Sequence, residues 1–412
     1  MSKASSTDSR NLETSPDNPT SFLQPMPPMG IYETLYAFQA AYGEPMGEPG
    51  THPWSQGYPR TKPIPGGPEM PSTVAVSSEN LMYPKSWGMP ALREKIASYY
   101  RKYYGATIDA DNVMVFAGGR PALFSVLLFL EQEIRVRIAS TEYTPYYDIL
   151  ERLRVPYDLI DSDEENRFYP PIENYTATDP DQRTLMLLSN PCNPTGITRT
   201  GAEIDTLVAA ASTTHCGLLI DEAYELFHDP PVSALSHIRD IDQTNIFVTG
   251  AATKGLQSPG IRIGWAIAAK HHIEILGNFS SFGMGGVSHP SQCYALELME
   301  ESRVEHVRRA IPAYYGSQRQ RYGEAFEKMG LQIFTGDGGF YHWCRLPGGM
   351  TAAELNERLF PEGAAILKGN DCDMHRYGSL SPLRNFIRFS FGPLGPESFE
   401  EDIEILTRAL EA

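Results

Sequence analysis

The chain has 412 residues, of which 41% are hydrophobic, so it is long and apolar enough for two or three domains with a sizeable core. Its 34 lysines and arginines and its 51 aspartates and glutamates give a formal net charge of −17, which repels nucleic-acid phosphates and anionic membranes. We therefore expect neither nucleic acid nor a membrane among its partners.

The first 80 residues show few signs of regular structure. Residues 1–25 are polar and lack an apolar core, so we expect a flexible segment and no secretory signal. Residues 26–80 are dense in proline and glycine, which predicts an extended arm with one helix at about 31–42. Within the arm, the motif WSQGYP at residues 54–59 is typical of a turn or of a loop that closes over a substrate.

From residue 81 onward, short apolar strands alternate with helices. This alternation predicts an α/β fold whose mainly parallel sheet is covered by helices on both faces. We assign residues 81–300 to this large domain and residues 301–412 to a smaller α+β domain with a mixed or antiparallel sheet. The predicted strands are 113–116, 136–139, 184–189, 217–220, 246–248, 261–268, 332–334, 340–345, 364–367 and 385–391. The predicted helices are 90–105, 122–132, 146–153, 202–214, a region at 288–328 broken near Pro312, and two that begin near Thr351 and Pro396.

Glycines and polar residues follow several of these strands. Ligands bind at the carboxyl ends of the strands in sheets of this kind, so these residues outline a site. The first strand runs into Gly118, Gly119 and Arg120 before a helix, an arrangement that binds phosphate through backbone N–H groups, although a plain tight turn is the alternative. The set expected at this edge is Gly119, Tyr143, Asn193, Asp221, Tyr224 and Lys254.

Lys254 is the centre of this set. Small residues flank it after an apolar strand, so another molecule can approach its amine closely; a lysine in a glycine-rich surface loop is the alternative. An aldehyde cofactor, pyridoxal phosphate, fits the set, with Lys254 holding it as a Schiff base and Asp221 pairing with its pyridine nitrogen. Asn193 and Tyr224 are placed to contact its phenolic oxygen, and Tyr143 is placed to stack on its ring. Its phosphate needs N–H groups and cations, for which the candidates are Gly118, Gly119, Arg120, Thr253 and Arg262.

Several motifs resemble those of the class I and II aminotransferases, the fold-type I pyridoxal-phosphate enzymes. They are NPCNPTG at 190–196, DEAY at 221–224 and T-K-x-x-x-x-P-G-x-R-x-G-W at 253–265, together with the glycine turn, the stretch from Tyr83 and WSQGYP. The resemblance implies a homodimer with shared active sites, in which Tyr83 reaches the phosphate of the neighbouring subunit. It also implies that Lys254 moves the proton, that Tyr224 assists at the catalytic centre, and that Arg388 binds the substrate α-carboxylate beside Asn193 and Gly57. For Arg388, a surface strand arginine is the alternative.

The implied reaction transfers an amino group between an L-amino acid and a 2-oxo acid. The same scaffold supports lyase, decarboxylase and oxidative deamination chemistry, which the sequence leaves open. The chain departs from the family at Ala251, where serine is common, and at Pro121, which has no N–H to offer the phosphate. Aromatic residues near the arm suit an apolar or aromatic substrate side chain; they are Tyr32, Phe38, Trp54 and Tyr58.

Two other classes of protein are disfavoured. A metal hydrolase could use His271 and His272, or His215 and Cys216, but neither pair has ligand spacing, so no metal is expected. A cofactor-sensing DNA-binding regulator would need a helix-turn-helix, and the first 80 residues show no such pattern. The five cysteines are odd in number and contain no C-x-x-C pair, which favours a reducing, cytoplasmic compartment.

Overall fold

The computed structural model describes residues 22–23, 30–176 and 181–411. Most of the predicted flexible segment, 1–25, lies outside the described residues. The helices are α1 Gly30–Tyr42, α2 Pro90–Tyr104, α3 Gly119–Leu128, α4 Pro145–Leu153, α5 Glu173–Thr176, α6 Ala202–Ala211, α7 Lys270–Phe279, α8 His289–Leu298, α9 Glu301–Lys328, α10 Ala352–Leu359 and α11 Phe399–Glu411. The strands are β1 Val113–Phe116, β2 Arg135–Ala139, β3 Tyr157–Ile160, β4 Thr184–Ser189, β5 Cys216–Asp221, β6 Ile246–Ala251, β7 Gly264–Ile267, β8 Gln332–Ile333, β9 Tyr341–Arg345, β10 Leu367–Lys368 and β11 Phe386–Ser390.

The large sheet has seven strands in the order β1-β7-β6-β5-β4-β2-β3. Only β7 runs antiparallel to its neighbours, so the predicted mainly parallel α/β sheet is confirmed. Every residue of β4 and β5 is buried, which explains their continuous apolar sequences. In the register of the central strands, Ser189 pairs with Asp221 and Asp221 pairs with Thr249, so three strands end level with one another.

The second sheet has four antiparallel strands in the order β10-β11-β9-β8. It lies in the C-terminal part of the chain, as predicted for the smaller α+β region, while the domain bounds 81–300 and 301–412 stay predictions. Arg388 lies in the middle of β11, between Leu367 of β10 and Trp343 of β9. This central position fixes the direction in which the arginine side chain leaves the sheet.

The arm has no regular element between α1 and α2 except a short 3-10 turn at Ser78–Leu81, in keeping with its many prolines and glycines, while its bounds 26–80 stay a prediction. Its anchor is the buried carboxylate of Asp402 in α11. The carboxylate oxygen Oδ1 accepts a hydrogen bond from Trp54 Nε1 at 3.0 Å and lies 2.8 Å from His52 Nδ1. The other oxygen accepts hydrogen bonds from Tyr322 at 2.6 Å and Ser398 at 2.8 Å. Trp54 is fully buried, so the arm is part of the core.

Several predicted boundaries were wrong. The helical region at 288–328 breaks at residues 299–300, where Glu300 is extended, and Pro312 lies inside α9. One proline removes one hydrogen-bond donor, and the buried face of this 28-residue helix holds it together. The strands 261–268 and 364–367 were also placed too early, since β7 begins at Gly264 and β10 at Leu367. The edge strand β3 and the helix α7 were not predicted.

Within the described part of the chain, no helix combines the length and the apolar character needed to cross a membrane.

Candidate active site

A cavity of about 370 Å³ lies at the carboxyl edge of the large sheet, between that edge, the arm and the second sheet. Residues from all three structures line it, although they are far apart in sequence. Of the predicted site residues, those that line it are Gly57, Gly119, Arg120, Tyr143, Asn193, Asp221, Tyr224, Thr253, Lys254, Arg262 and Arg388.

Lys254 lies just beyond β6, half-buried, and its amine donates a hydrogen bond to the backbone oxygen of Gly57. Burial, together with the positive charges of Arg388 and Arg120, lowers the pKa of Lys254 from 10.5 to about 7. A lysine with this pKa is partly neutral near pH 7, so its nitrogen lone pair is available to attack an aldehyde. The amine therefore has the chemistry expected of a nucleophile.

Asp221 ends β5 and is buried at the floor of the cavity. Tyr146 donates a hydrogen bond to Oδ2 at 2.9 Å, and the backbone N–H of Ala223 donates one to Oδ1 at 3.1 Å. Burial raises the pKa of Asp221, while these neutral donors and the charge of Lys254 oppose the rise. A buried carboxylate of this kind gains from a cationic partner, which the protonated pyridine nitrogen of the cofactor would supply.

The glycine turn after β1 brings a helix N-terminus to the cavity. Gly118 has φ of +105° and caps α3, which begins at Gly119, three residues earlier than predicted. A Cβ on Gly118 would lie 2.2 Å from Nη2 of Arg262, so the guanidinium packs directly on the turn. Arg262 itself was wrongly placed on a strand, since its left-handed φ of 55° puts it in the turn before β7. The free N–H groups of α3, with Arg120 and Arg262, fit a phosphate.

Arg388 is buried, with 6% of its surface exposed, so it is not a surface arginine. Nη1 donates to Oδ1 of Asn193 at 2.9 Å, Nη2 donates to the backbone oxygen of Ser55 at 3.0 Å, and the guanidinium lies 4.3 Å from the centre of the Tyr341 ring. In the described part of the chain, Nε has no hydrogen-bond partner. A buried arginine held by neutral groups has its charge uncompensated, which suits a substrate carboxylate.

The remaining predicted ring contacts also lie in the cavity. The hydroxyl of Tyr224 is 2.6 Å from that of Tyr341, and burial raises the pKa of Tyr224. Asn193 turns its oxygen to Arg388, which leaves its amide N–H₂ as the group it presents to a ligand. The ring of Tyr143 packs edge-on against Tyr146, with 5.3 Å between the ring centres.

Sequence reasoning missed three residues that shape the cavity: Glu142, Tyr146 and Tyr341. Glu142 is buried beside Tyr143 and Ser189, whose N–H groups donate to it at 2.9 and 3.2 Å, and burial raises its pKa to about 7. Glu142 could have been noticed, because it lies next to Tyr143 in the segment that follows β2. Tyr341 carried no such signal, since it sits in an apolar strand.

Some predicted residues lie elsewhere. Tyr83 is 93% exposed and lies outside the cavity. Phe38 and Trp54 are core residues, so of the four aromatic residues proposed near a substrate only Tyr32 and Tyr58 line the cavity.

Among residues 22–23, 30–176 and 181–411, no group of three or more His, Cys, Asp or Glu side chains is arranged to hold a metal ion.

Comparison with known proteins gives consistent results. The family model described as aminotransferase class I and II matches residues 59–405. The aspartate aminotransferase of Pyrococcus horikoshii is 23% identical over 69% of this chain and 73% of its own length. The valine–pyruvate aminotransferase of Mycobacterium tuberculosis is 26% identical over 81% of this chain and 86% of its own length. Among solved structures, the aspartate aminotransferase of Thermus thermophilus with maleate has a TM-score of 0.76 at 21% identity, covering 93% of this chain and 97% of that chain. This last likeness establishes the fold.

Proposed function

Because the chain belongs to the class I and II aminotransferases, which are pyridoxal-phosphate-dependent enzymes, we propose that it transfers an amino group between an L-amino acid and a 2-oxo acid with Lys254 as the covalent anchor of the cofactor. The observation that supports this most directly is one cavity that holds the amine of Lys254, the buried carboxylate of Asp221 and the buried guanidinium of Arg388. Each of the three meets a different requirement of the reaction.

When bound, pyridoxal phosphate supplies an electron-withdrawing ring that stabilises negative charge at the substrate α-carbon. Asp221 would keep the ring nitrogen protonated, and Arg388 would hold the substrate α-carboxylate through paired N–H groups. The free amine of Lys254 would carry the proton to and from the substrate α-carbon, a role for which a pKa of about 7 is well suited. The phosphate would be held by the N-terminus of α3 with Arg120, Thr253 and Arg262. Asn193 and Tyr224 would contact the phenolic oxygen, and Tyr143 would stack on the ring. Gly57 would close the cavity from the arm.

Lyase, decarboxylase or oxidative deamination chemistry is the alternative on the same residues. The relatives support transamination over these, because their names differ in the amino acid, such as aspartate, valine and LL-diaminopimelate, and share the transfer of the amino group. Under the proposed function, turnover depends on a 2-oxo acid acceptor. Release of ammonia or carbon dioxide, or uptake of oxygen, in the absence of a 2-oxo acid acceptor would establish the alternative chemistry.

Lys254→Ala tests the anchor. We expect the purified wild-type protein, incubated with pyridoxal phosphate, to absorb visible light, and the variant to lose this band and its transaminase activity. Lys270→Ala is the matched control, because Lys270 is an exposed lysine of α7 whose amine pairs with Asp109 at 2.6 Å. A wild-type protein that stays colourless would overturn the proposed cofactor role of Lys254.

We further propose a cytoplasmic homodimer with shared active sites. The exposure of Tyr83 outside its own cavity supports this, as do the neighbouring exposed side chains of Leu81 and Met82. In a mixture of Lys254→Ala and Tyr83→Ala chains that have been dissociated and reassociated, we expect partial recovery of activity, since one of the two sites in a hybrid dimer would be intact. If the mixture had no more activity than the two variants assayed separately, each subunit would work alone.

A further inference from the structure

Part of the cavity wall has no role in the proposed chemistry. We call this part, formed by Ile31, Tyr32, Leu35, Leu367 and Asp371, the distal end. The first three residues come from the first two turns of α1, and the last two come from β10 and the 3-10 turn Gly369–Cys372 that follows it. A substrate side chain that projects from the α-carbon into the distal end would meet these residues.

Asp371 is the charged group of the distal end that lines the cavity, and it is 8% exposed. Within the described part of the chain, its oxygen Oδ2 has no hydrogen-bond partner. The other oxygen, Oδ1, has two distant partners: the amide N–H₂ of Asn370 donates to it at 3.5 Å, and Lys368 Nζ forms an ion pair with it at 3.7 Å. A buried carboxylate oxygen without a donor costs free energy, so its retention in a binding cavity points to a ligand that supplies the donor.

Two contacts hold Asp371 in place. The hydroxyl of Thr144, next to Tyr143, donates to the backbone oxygen of Asp371 at 2.7 Å. On the other side, α1 begins at Gly30, where a Cβ would lie 2.6 Å from Oδ2 of Asp371, so only glycine leaves room for the carboxylate. The carboxylate is therefore held between two parts of the cavity wall.

We propose that Asp371 binds the cationic end of a substrate side chain, so that the preferred amino donor is a basic amino acid whose side chain ends in an amine or a guanidinium. This inference rests on the proposed function. The pairing of Leu367 with Arg388 places the two charges on neighbouring strands, with the carboxylate clamp on β11 and Asp371 four residues after Leu367. Both side chains line the same cavity of about 370 Å³, so one substrate can present its α-carboxylate to Arg388 and its distal cation to Asp371.

The apolar part of the distal end fits the same substrate class. Ile31, Leu35 and Leu367 would contact the methylene groups of a long basic side chain, as apolar surfaces do with lysine and arginine stems. A dicarboxylic donor such as aspartate or glutamate would bring a second negative charge toward Asp371, which disfavours it. A purely apolar side chain would supply no donor to the Oδ2 oxygen of Asp371.

Asp371→Asn is the first test, with the loaded full-length enzyme. We expect wild-type kcat/KM to be higher for arginine, lysine or ornithine than for leucine or glutamate, and the variant to lose about tenfold or more for the basic donors alone. The matched control is Asp373→Asn, because Asp373 is also buried with one unpartnered oxygen but does not line the cavity. We expect this control to keep the wild-type order of donors.

Binding of a non-reacting probe is the second test. 5-Guanidinopentanoate has a carboxylate and a guanidinium but no α-amino group, and heptanoate is a neutral-ended analogue of similar length. By calorimetry on the holoenzyme, we expect the guanidinium probe to bind about tenfold or more tightly than heptanoate, and Asp371→Asn to abolish the difference. Equal binding of the two probes to the wild type would overturn the inference.

The two proposals fail in different ways. If wild-type enzyme transaminates apolar or dicarboxylic donors best and Asp371→Asn leaves this order unchanged, the role of Asp371 is wrong and the proposed function stands. If no donor yields a 2-oxo acid product, the proposed function itself fails, and the binding difference between the probes then decides whether the distal end still recognises a cation.

Discussion

At the scale of single residues, the charges around the cavity are matched to different parts of one reaction. Lys254 is surrounded by three arginines, and their positive charges together with burial hold its pKa well below the ordinary value of lysine. Burial raises the pKa of Asp221, and its neutral donors oppose that rise, which leaves a carboxylate suited to the cationic ring nitrogen of the proposed cofactor. These opposite shifts are typical of a catalytic centre.

The pKa of Lys254 leads to a pH prediction. Below pH 7 the amine is mostly protonated and cannot attack an aldehyde, and above pH 7 it is mostly neutral, since its pKa is lowered to about 7. The rate at which cofactor-free protein gains visible absorbance with pyridoxal phosphate should therefore rise with pH, reach half its maximum near pH 7, and level off above about pH 8. A free lysine amine is the control, since its rate keeps rising toward pH 10; the same behaviour in the protein would contradict the lowered pKa.

Tyr146 is predicted to position Asp221. Tyr146→Phe removes the donor at 2.9 Å from the carboxylate, so the pKa of Asp221 rises further and the ring nitrogen is held less well. We expect kcat to fall about tenfold with little change in KM, which corresponds to about 1.4 kcal/mol for a hydrogen bond to a charged group. The pH dependence of the visible absorbance should shift as well.

Tyr315→Phe is the matched control for that variant. Tyr315 is a fully buried tyrosine whose hydroxyl donates to Gly392 at 3.0 Å, and it does not line the cavity. Loss of the Tyr315 hydroxyl should lower the free energy of unfolding without changing the pH dependence of the visible absorbance. If Tyr146→Phe and Tyr315→Phe gave the same profile, Tyr146 would have a structural role alone.

At the scale of elements, the turn between β1 and α3 depends on glycine. Gly118→Ala forces a side chain into a backbone with φ of +105° and places its Cβ 2.2 Å from Arg262. Both effects displace the helix N-terminus and the arginine that are proposed to hold the phosphate, so we expect the Kd for pyridoxal phosphate to rise by about tenfold or more. Titration of cofactor-free protein with pyridoxal phosphate, followed by visible absorbance, measures this.

Gly105→Ala separates this local effect from ordinary backbone strain. Gly105 ends α2 with φ of +65° and has no atoms within 4 Å of an added Cβ. We expect it to lower the free energy of unfolding by about 1 kcal/mol and to leave the cofactor Kd unchanged. A similar loss of cofactor affinity in both variants would mean that the turn before α3 has no special role.

At the scale of the whole molecule, the arm connects the C-terminal helix to the catalytic cavity. Asp402 of α11 holds His52 and Trp54 of the arm, and a few residues later the backbone of the arm contacts Arg388 and Lys254. The position of Arg388, the proposed substrate clamp, is therefore expected to depend on a buried carboxylate that lies outside the cavity. The arm is thus both part of the core and part of the cavity wall.

Asp402→Ala tests this connection. The variant leaves four buried or half-buried donors without their acceptor, so we expect a loss of roughly 2–4 kcal/mol in the free energy of unfolding, measured by urea denaturation, and a higher KM for the amino donor. Asp111→Ala is the control, because the carboxylate of Asp111 is 73% exposed and pairs with Arg93 at the surface. We expect it to change stability by less than about 1 kcal/mol. An unchanged KM in the Asp402 variant would show that the arm does not set the substrate site.

The sequence by itself determined the α/β class, most central strands and the residues that follow them. These predictions succeeded because a strand buried on both faces must be continuously apolar, and because parallel strands end at one edge of their sheet. Lys254, Asp221 and Asn193 could be grouped in this way before their distances were known. The edge strand β3 escaped prediction because its residues are only partly buried, which weakens the apolar pattern.

The tertiary structure alone decided which distant residues meet. Lys254 contacts Gly57, 197 residues away, and Arg388 contacts Asn193, 195 residues away. Tyr341 and Asp371 reach the cavity through the pairing of β9, β10 and β11, and no local pattern marks either residue as part of a site. Local sequence governs periodicity, turns and helix ends, whereas contacts across the chain depend on how the sheets, helices and arm pack together. The reaction class was therefore predictable from the motifs. The residue proposed to select the substrate was not, because only the packing brings it to the cavity.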